Sequence, residues 1–310
     1  YERGGMNPAD DKDTPVFVGR FNIGAVSLHL PMILAKSRSE NRDFHEVLDF
    51  YLEMIRDLHK RTYDYLGEMR ASTNPLGYCE GGFYGGHLKP NEKIGKILKP
   101  MTASFGITAL NELQELYNGK SIAEDGAFAL EVLKYINDKV NQYKKEDGYL
   151  YAIYGTPAES LCYRFAEIDR KKFGNILDVT DKGYYTNSYH VDVREKIDAF
   201  TKFTFESQFQ KISSGGAISY VEIPNMRHNL EALEDIVRFI YENIQYAEFN
   251  TKSDYCHVCG FDGEIIINDQ LEWECPQCHN KDKNKMNVTR RTCGYLGENF
   301  WNVGKTREIN

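Results

Sequence analysis

Four cysteines near the C-terminus, Cys256, Cys259, Cys275 and Cys278, carry the plainest chemistry in the chain. Their C-x2-C-x15-C-x2-C spacing is that of a structural zinc site, in which two short knuckles each give two thiolates to a tetrahedral ion. His257 and His279 adjoin these cysteines; four thiolates already complete the set, which makes the two histidines bystanders unless one of them replaces a cysteine. Two further places have residues suited to chemistry. Gly155-Thr156-Pro157-Ala158-Glu159-Ser160 follows a strand-like run and enters a helical one, so its backbone N–H groups and the helix dipole are placed to receive an anion such as phosphate. The other is Arg290-Arg291-Thr292-Cys293-Gly294-Tyr295-Leu296-Gly297, where a glycine is flanked by a cysteine and two arginines.

That last run closely resembles the radical loop of the class III, anaerobic ribonucleoside-triphosphate reductases. Zinc knuckles just ahead of the glycine, together with Val18-Gly19-Arg20-Phe21-Asn22-Ile23-Gly24 and Gly155–Ser160, extend the resemblance over nearly the whole chain. The resemblance implies an α/β fold: the C-terminal half of a ten-stranded α/β barrel, with a zinc-ribbon-like knuckle domain and a glycyl-radical loop at its C-terminal end. It implies three parts: barrel half at 1–250, four-cysteine zinc-binding domain at 251–282 and radical loop at 283–310. Gly294 then holds an unpaired electron on its Cα, which can flatten because no Cβ crowds it. A thiyl radical on a second loop abstracts the ribose 3′ hydrogen, and the 2′ hydroxyl leaves as water.

Carried over residue by residue, the resemblance gives Gly294 and Asn22 catalytic roles, Asn22 through hydrogen bonds to the ribose hydroxyls. Thr156, Ala158, Glu159 and Ser160 receive the substrate phosphates, although a carboxylate at Glu159 repels phosphate unless it turns elsewhere. The implied substrate is a ribonucleoside triphosphate, the reductant formate, the activase a radical-SAM iron-sulfur protein, and the assembly a homodimer. No cysteine occurs between Tyr1 and Asn22, where the family carries its thiyl residue, so the chain reads as part of a longer polypeptide, inactive alone.

The elements that must position these residues are legible in outline. Pro15 to Leu30 reads as a buried strand ended by Pro31, and Phe44, Val47, Leu48, Tyr51, Leu52, Ile55 and Leu58 recur at helical spacing from Asp43 to about Leu66. Gly77 to Gly86 reads as loop. Helical patterns are expected at Ser104–Leu116, Phe128–Tyr143, from Ala158, and at Leu230–Ile244, with strands at Tyr149–Tyr154 and Ala217–Ile223. Alternation of this kind favours α/β architecture. Within the knuckles, Ile265–Ile267 and Leu271–Trp273 predict a hairpin turning at Asn268-Asp269. Such a small unit depends on its ion to fold.

At 310 residues and 41% hydrophobic the chain can bury a substantial core. A formal net charge of -8 disfavours a nucleic-acid surface. No apolar run approaches the ~18 residues of a membrane span, and no signal peptide opens the chain, so the cytoplasm is the expected address. Cys79, Cys162 and Cys293 are scattered and suit a reducing compartment. His29, His87, His190 and His228 show no ligand spacing. Two competing readings are a zinc-ribbon binding module on an α/β domain and a different glycyl-radical enzyme.

Overall fold

The structure is a computed structural model describing residues 16–224, 226–250, 254–292, 295–298 and 306–307, without the side chains of Glu159 and 289–298. The elements run β1 (Asn22–His29), α1 (Leu30–Glu40), α2 (Phe44–Gly67), α3 (Pro75–Tyr78), β2 (Thr102–Thr108), α4 (Leu110–Asn118), α5 (Ala127–Asp147), β3 (Leu150–Gly155), α6 (Glu159–Phe173), α7 (Ala199–Ile212), β4 (Ser219–Glu222), α8 (Leu230–Asn243) and β5 (Ala247–Asn250). After them come the short strands β6 (Asp254–Cys256), β7 (Asp262–Gly263), β8 (Ile266–Ile267), β9 (Trp273–Glu274) and β10 (Met286–Asn287). The last are β11 (Thr289–Thr292) and β12 (Tyr295–Glu298).

The main sheet has the order β1-β2-β3, all parallel, and β4 pairs in parallel with β5. Two backbone bonds, Gly215 N–H to Ile153 O and Gly155 N–H to Gly216 O, bring the approach to β4 alongside the C-terminal end of β3. Parallel strands need crossovers, and helices supply them. Helix α2 shows why the sequence complies. Asp43 accepts the Glu46 N–H at 3.1 Å as an N-cap, and Phe44, Val47, Leu48, Leu52, Ile55, His59 and Tyr63 form its buried stripe. Leu58, expected on that stripe, is 48% exposed. Its place inward is taken by His59, whose ring nitrogen Nε2 lies 3.0 Å from the Ser104 carbonyl and whose burial lowers its pKa to about 4.

Two expected elements are corrected. Ser104–Leu116 is not one helix: Thr102–Thr108 is the central strand, and α4 starts only at Leu110. All seven β2 residues are buried, so the strand shows none of the alternation that marks a half-exposed one. The first strand is shorter than its apolar run. It begins at Asn22, and Pro31 lies in the first turn of α1, where its missing N–H costs nothing. Helices α5, α6 and α8 and strands β3 and β4 form within a few residues of their expected bounds. The core beneath the main sheet joins Leu28, Ile33, Leu48, Phe105, Ile107, Leu113, Ile136 and Ile153.

Candidate functional site

Period-two geometry sorts the main sheet into two faces. Val26, Leu28, Phe105, Ile107, Tyr151 and Ile153 point to the helix-packed side. Ala25, Ser27, Ser104, Gly106 and Ala152 share the other, a face of small and hydroxyl side chains. At its N-terminal end the Asn22 amide Nδ2 donates to Ser104 Oγ at 2.6 Å, and Asn22 Oδ1 accepts the Gly24 N–H at 2.9 Å. The asparagine is exposed, and a register shift between Asn22 and Gly24 re-aims the strand there.

Toward the C-terminal end, Ser27 Oγ and Thr156 Oγ1 are hydrogen-bonded at 3.0 Å across the middle strand. Gly106 makes that crossing possible. A Cβ on it would lie 2.2 Å from Thr156 Oγ1 and 2.5 Å from Ser27 Oγ. Thr156 continues β3 one residue past Gly155, which pairs with Ile107, so it stands level with Thr108. The side chains reach closer than their backbones: Thr156 Oγ1 stands over Gly106 and Asn22 Nδ2 meets Ser104, two residues apart on one face of β2, or about 7 Å at the rise of a strand. Asn22 and Thr156 therefore approach neighbouring positions of the polar face from its two ends.

Beyond Thr156 the chain turns into α6. Thr156 N–H donates to Ile107 O, and buried Ala158 is the N-cap residue with no cap from its own side chain. The first bond of the helix is Cys162 N–H to Ala158 O at 2.7 Å. Ser160 is exposed in the first turn, and the Glu159 side chain lies outside the described residues. The Ala158 N–H is held from elsewhere: Asn187 Oδ1 accepts it at 2.9 Å and also receives the Cys162 thiol at 3.4 Å. Asn187, Ser27, Ser104 and Gly106 had no mark in sequence, because each gains its place only through contacts with remote segments.

The segment bearing Asn187 is anchored by buried charge. Lys182 Nζ lies 2.5 Å from both Glu112 and Asp192, and Glu112 accepts the Thr186 N–H at 3.0 Å and its hydroxyl at 2.7 Å. Burial opposes the Lys182 charge, but the two flanking carboxylates hold its pKa above the ordinary lysine value. Burial likewise works against ionised Asp192, yet Lys182 and Arg194 pull it down to about 2. A second buried carboxylate, Glu206, is held down to about 2 against its own burial by Lys202 and His190. His29 Nε2 is 2.8 Å from Asp169, which accepts the Tyr185 hydroxyl at 2.8 Å. Cys79 and Cys162 form no disulfide.

The four knuckle cysteines converge, their sulfurs all within 4.8 Å of one another. Cys256 and Cys278 are 3.7 Å apart, Cys259 and Cys275 3.6 Å. A tetrahedral zinc with bonds of about 2.3 Å requires sulfurs about 3.8 Å apart, so the set fits the ion. The two knuckles are built alike. Gly260 N–H reaches Cys256 O and His279 N–H reaches Cys275 O, and both donors have positive φ, +75° and +56°. His279 turns away from the sulfurs to pair with Glu274 at 2.7 Å. The expected hairpin forms as β8 and β9, but its turn is Asn268–Glu272. Asn268 Oδ1 accepts from Gln270 and Glu272, and Leu271 takes φ +60°, which delays the second strand to Trp273. Trp273, Ile265, Met286 and Val288 form the small core around Cys256 and Cys275.

β11 and β12 pair antiparallel after this unit, with Thr292 opposite Tyr295. Cys293 and Gly294, which join the two strands in sequence, lie outside the described residues. No helix among the described residues is long and apolar enough to cross a membrane.

An α/β body with parallel strands and a four-cysteine knuckle unit defines the class of architecture. The family follows from comparison: the model of the anaerobic ribonucleoside-triphosphate reductases matches residues 4–310, and the chain belongs to that family. It is 39% identical over 309 residues to the anaerobic ribonucleoside-triphosphate reductase of Haemophilus influenzae, covering 97% of this chain and 43% of that protein. It is 36% identical over 309 residues to the enzyme of that name from Enterobacteria phage T4, covering 97% of this chain and 50% of the phage protein. The chain thus spans about half, or somewhat less, of the length of these relatives. Among solved structures, the anaerobic ribonucleotide reductase from Thermotoga maritima with MES in the active site has a similar fold. Its TM-score is 0.65 at 18% identity, covering 97% of this chain and 46% of that one.

Proposed function

We propose that this chain is the C-terminal catalytic part of an anaerobic ribonucleoside-triphosphate reductase, reducing ribonucleoside triphosphates to 2′-deoxyribonucleoside triphosphates. It works joined to the remaining half of a ten-stranded barrel, which supplies the thiyl cysteine. Residues 1–250 form the barrel half, 251–282 the metal-binding unit, whose core also takes in Met286 and Val288, and 283–310 the radical loop. Zinc on Cys256, Cys259, Cys275 and Cys278 is structural, because four thiolates leave no open coordination position. A radical stored on Gly294 supplies hydrogen-atom abstraction, relayed through the thiol. A radical-SAM iron-sulfur activase installs it, formate is the reductant, and the enzyme is a cytoplasmic homodimer.

What supports this reading is the family match from residue 4 to residue 310, which takes in both chemical ends of the polar sheet face. Exposed Asn22 offers its amide to the ribose hydroxyls, while the head of α6 offers the backbone N–H groups of Glu159 and Ser160 to the phosphates, with Thr156 and Ala158 forming the turn that leads to them. The interval of about 7 Å between the Asn22 amide and the Thr156 hydroxyl leads from a ribose toward its phosphates along the strands. The chain's own task is then to hold the ribose beside Asn22, fix the triphosphate at the head of α6 and keep the Gly294 loop in place.

Electron paramagnetic resonance tests the proposal. The complete polypeptide, loaded with zinc and activated anaerobically, is expected to show a glycyl doublet that Gly294→Ala removes. A folded, competently activated protein with no such doublet rejects the assignment.

A further inference from the structure

We propose that Asn187 is a positioning residue for triphosphate binding, acting through the backbone of the Thr156–Ser160 corner. This rests on the reading of that corner as the phosphate site. Helix α6 is 15 residues long and begins without a cap of its own, since Ala158 has no side-chain acceptor. Its N-terminal donors are free to meet a ligand only if the turn before them is held still by something else. Asn187 does this from 29 residues away, 4% exposed, accepting the Ala158 N–H through Oδ1.

The segment carrying Asn187 is built into the sheet end rather than laid over it. Thr186 O accepts the Ala109 N–H at 3.1 Å, and Ser188 O accepts the Leu110 N–H at 3.0 Å. The residues at these bonds include two non-glycine positions with positive φ, Ala109 at +56° and Ser188 at +40°. Such conformations persist only where surrounding contacts enforce them. Glu112 enforces this one, gripping Thr186 by N–H and hydroxyl while Lys182 and Asp192 neutralise and fix the carboxylate. One strap therefore links the heads of α4 and α6, at the ends of β2 and β3, and the hydrogen bond it makes to the α6 corner backbone comes from a neutral amide oxygen. Neutrality matters: a carboxylate at 187 satisfies the same N–H and favours the helix N-terminus, but it also repels a polyphosphate.

The two roles of the amide separate in two variants, tested on the complete, activated reductase polypeptide with a ribonucleoside triphosphate and with the corresponding ribonucleoside. Asn187→Ala is expected to raise KM for the triphosphate about 5- to 10-fold, the loss of one hydrogen bond, with kcat within about 2-fold and binding of the nucleoside unchanged. Asn187→Asp is expected to restore the thermal midpoint lost in the alanine variant but not KM, and its KM defect is expected to shrink with added salt. If the wild type prefers triphosphate while Asn187→Ala leaves KM unchanged, or if Asn187→Asp restores KM along with stability, the positioning role is overturned and the phosphate corner stands. If the wild type itself binds nucleoside and triphosphate alike, the phosphate corner falls, and the role of Asn187 with it.

Discussion

Replacing Gly106 with alanine puts the polar sheet face to a direct test. The new methyl group would sit 2.2 Å from Thr156 Oγ1, 2.5 Å from Ser27 Oγ and 3.0 Å from the Ser27 Cα. Neither hydroxyl can stay where it is, so their 3.0 Å hydrogen bond breaks. That loss costs about 1 kcal/mol, and forcing extra volume between packed strands adds about 1–3 kcal/mol, giving roughly 2–4 kcal/mol in all. Equilibrium urea unfolding measures the sum. A double background discriminates further: with Ser27→Ala and Thr156→Ala already in place, both clashing oxygens are gone, and the same glycine substitution is expected to cost about 1 kcal/mol or less. The residual reflects the Ser27 Cα, which still has to give a little. Equal costs in the two backgrounds, or a loss below about 0.5 kcal/mol in the wild type, would falsify the account of how the hydroxyls are brought together.

Other consequences can be checked independently. Zinc analysis is expected to give one ion per chain, and removal of the metal, or Cys278→Ser, is expected to accelerate hydrogen exchange over residues 254–288 while leaving that of β1–β3 unchanged; uniform exchange across the chain would contradict a locally structural site. Asp192 has its pKa lowered from 3.8 to about 2, so the stability it contributes is present above 3.8 and lost as pH falls through about 2. That contribution is about 2 kcal/mol. In Asp192→Asn the urea midpoint is expected to fall less steeply than wild type between those pH values, and parallel profiles would show that the Lys182 cluster does not hold the carboxylate as described.

How far the sequence revealed this molecule depends on the range over which each signal acts. Helix α2 was readable because its cap, Asp43, and its apolar stripe are local properties of one segment. The knuckles were readable because metal ligation demands a fixed spacing of one residue type. Strand β2 was not, since burial on both faces erases alternation and leaves Thr102–Thr108 as a mixed run that a helical template also accepts. Pro31 misled in a different way, because the ring that ends a strand also suits the first turn of a helix. In the candidate site, Asn22 came from family resemblance, whereas the Thr156–Ser160 corner was also legible from its own strand-to-helix turn. The residues that hold them were not: Ser104 and Ser27 act across strands, Gly106 by what it lacks, and Asn187 from a loop with no periodicity.

Strand β1 has a hydrogen-bonded neighbour on one side only among the described residues, and its outer positions Asn22 and Ala25 are exposed. An uncovered row of amide and carbonyl groups on a strand of 8 residues is a template for another strand. On the proposed reading, in which the other half of a barrel pairs along this margin, β1 recruits whatever extended chain it meets when that half is withheld, so co-expression with it is the natural route to well-behaved material.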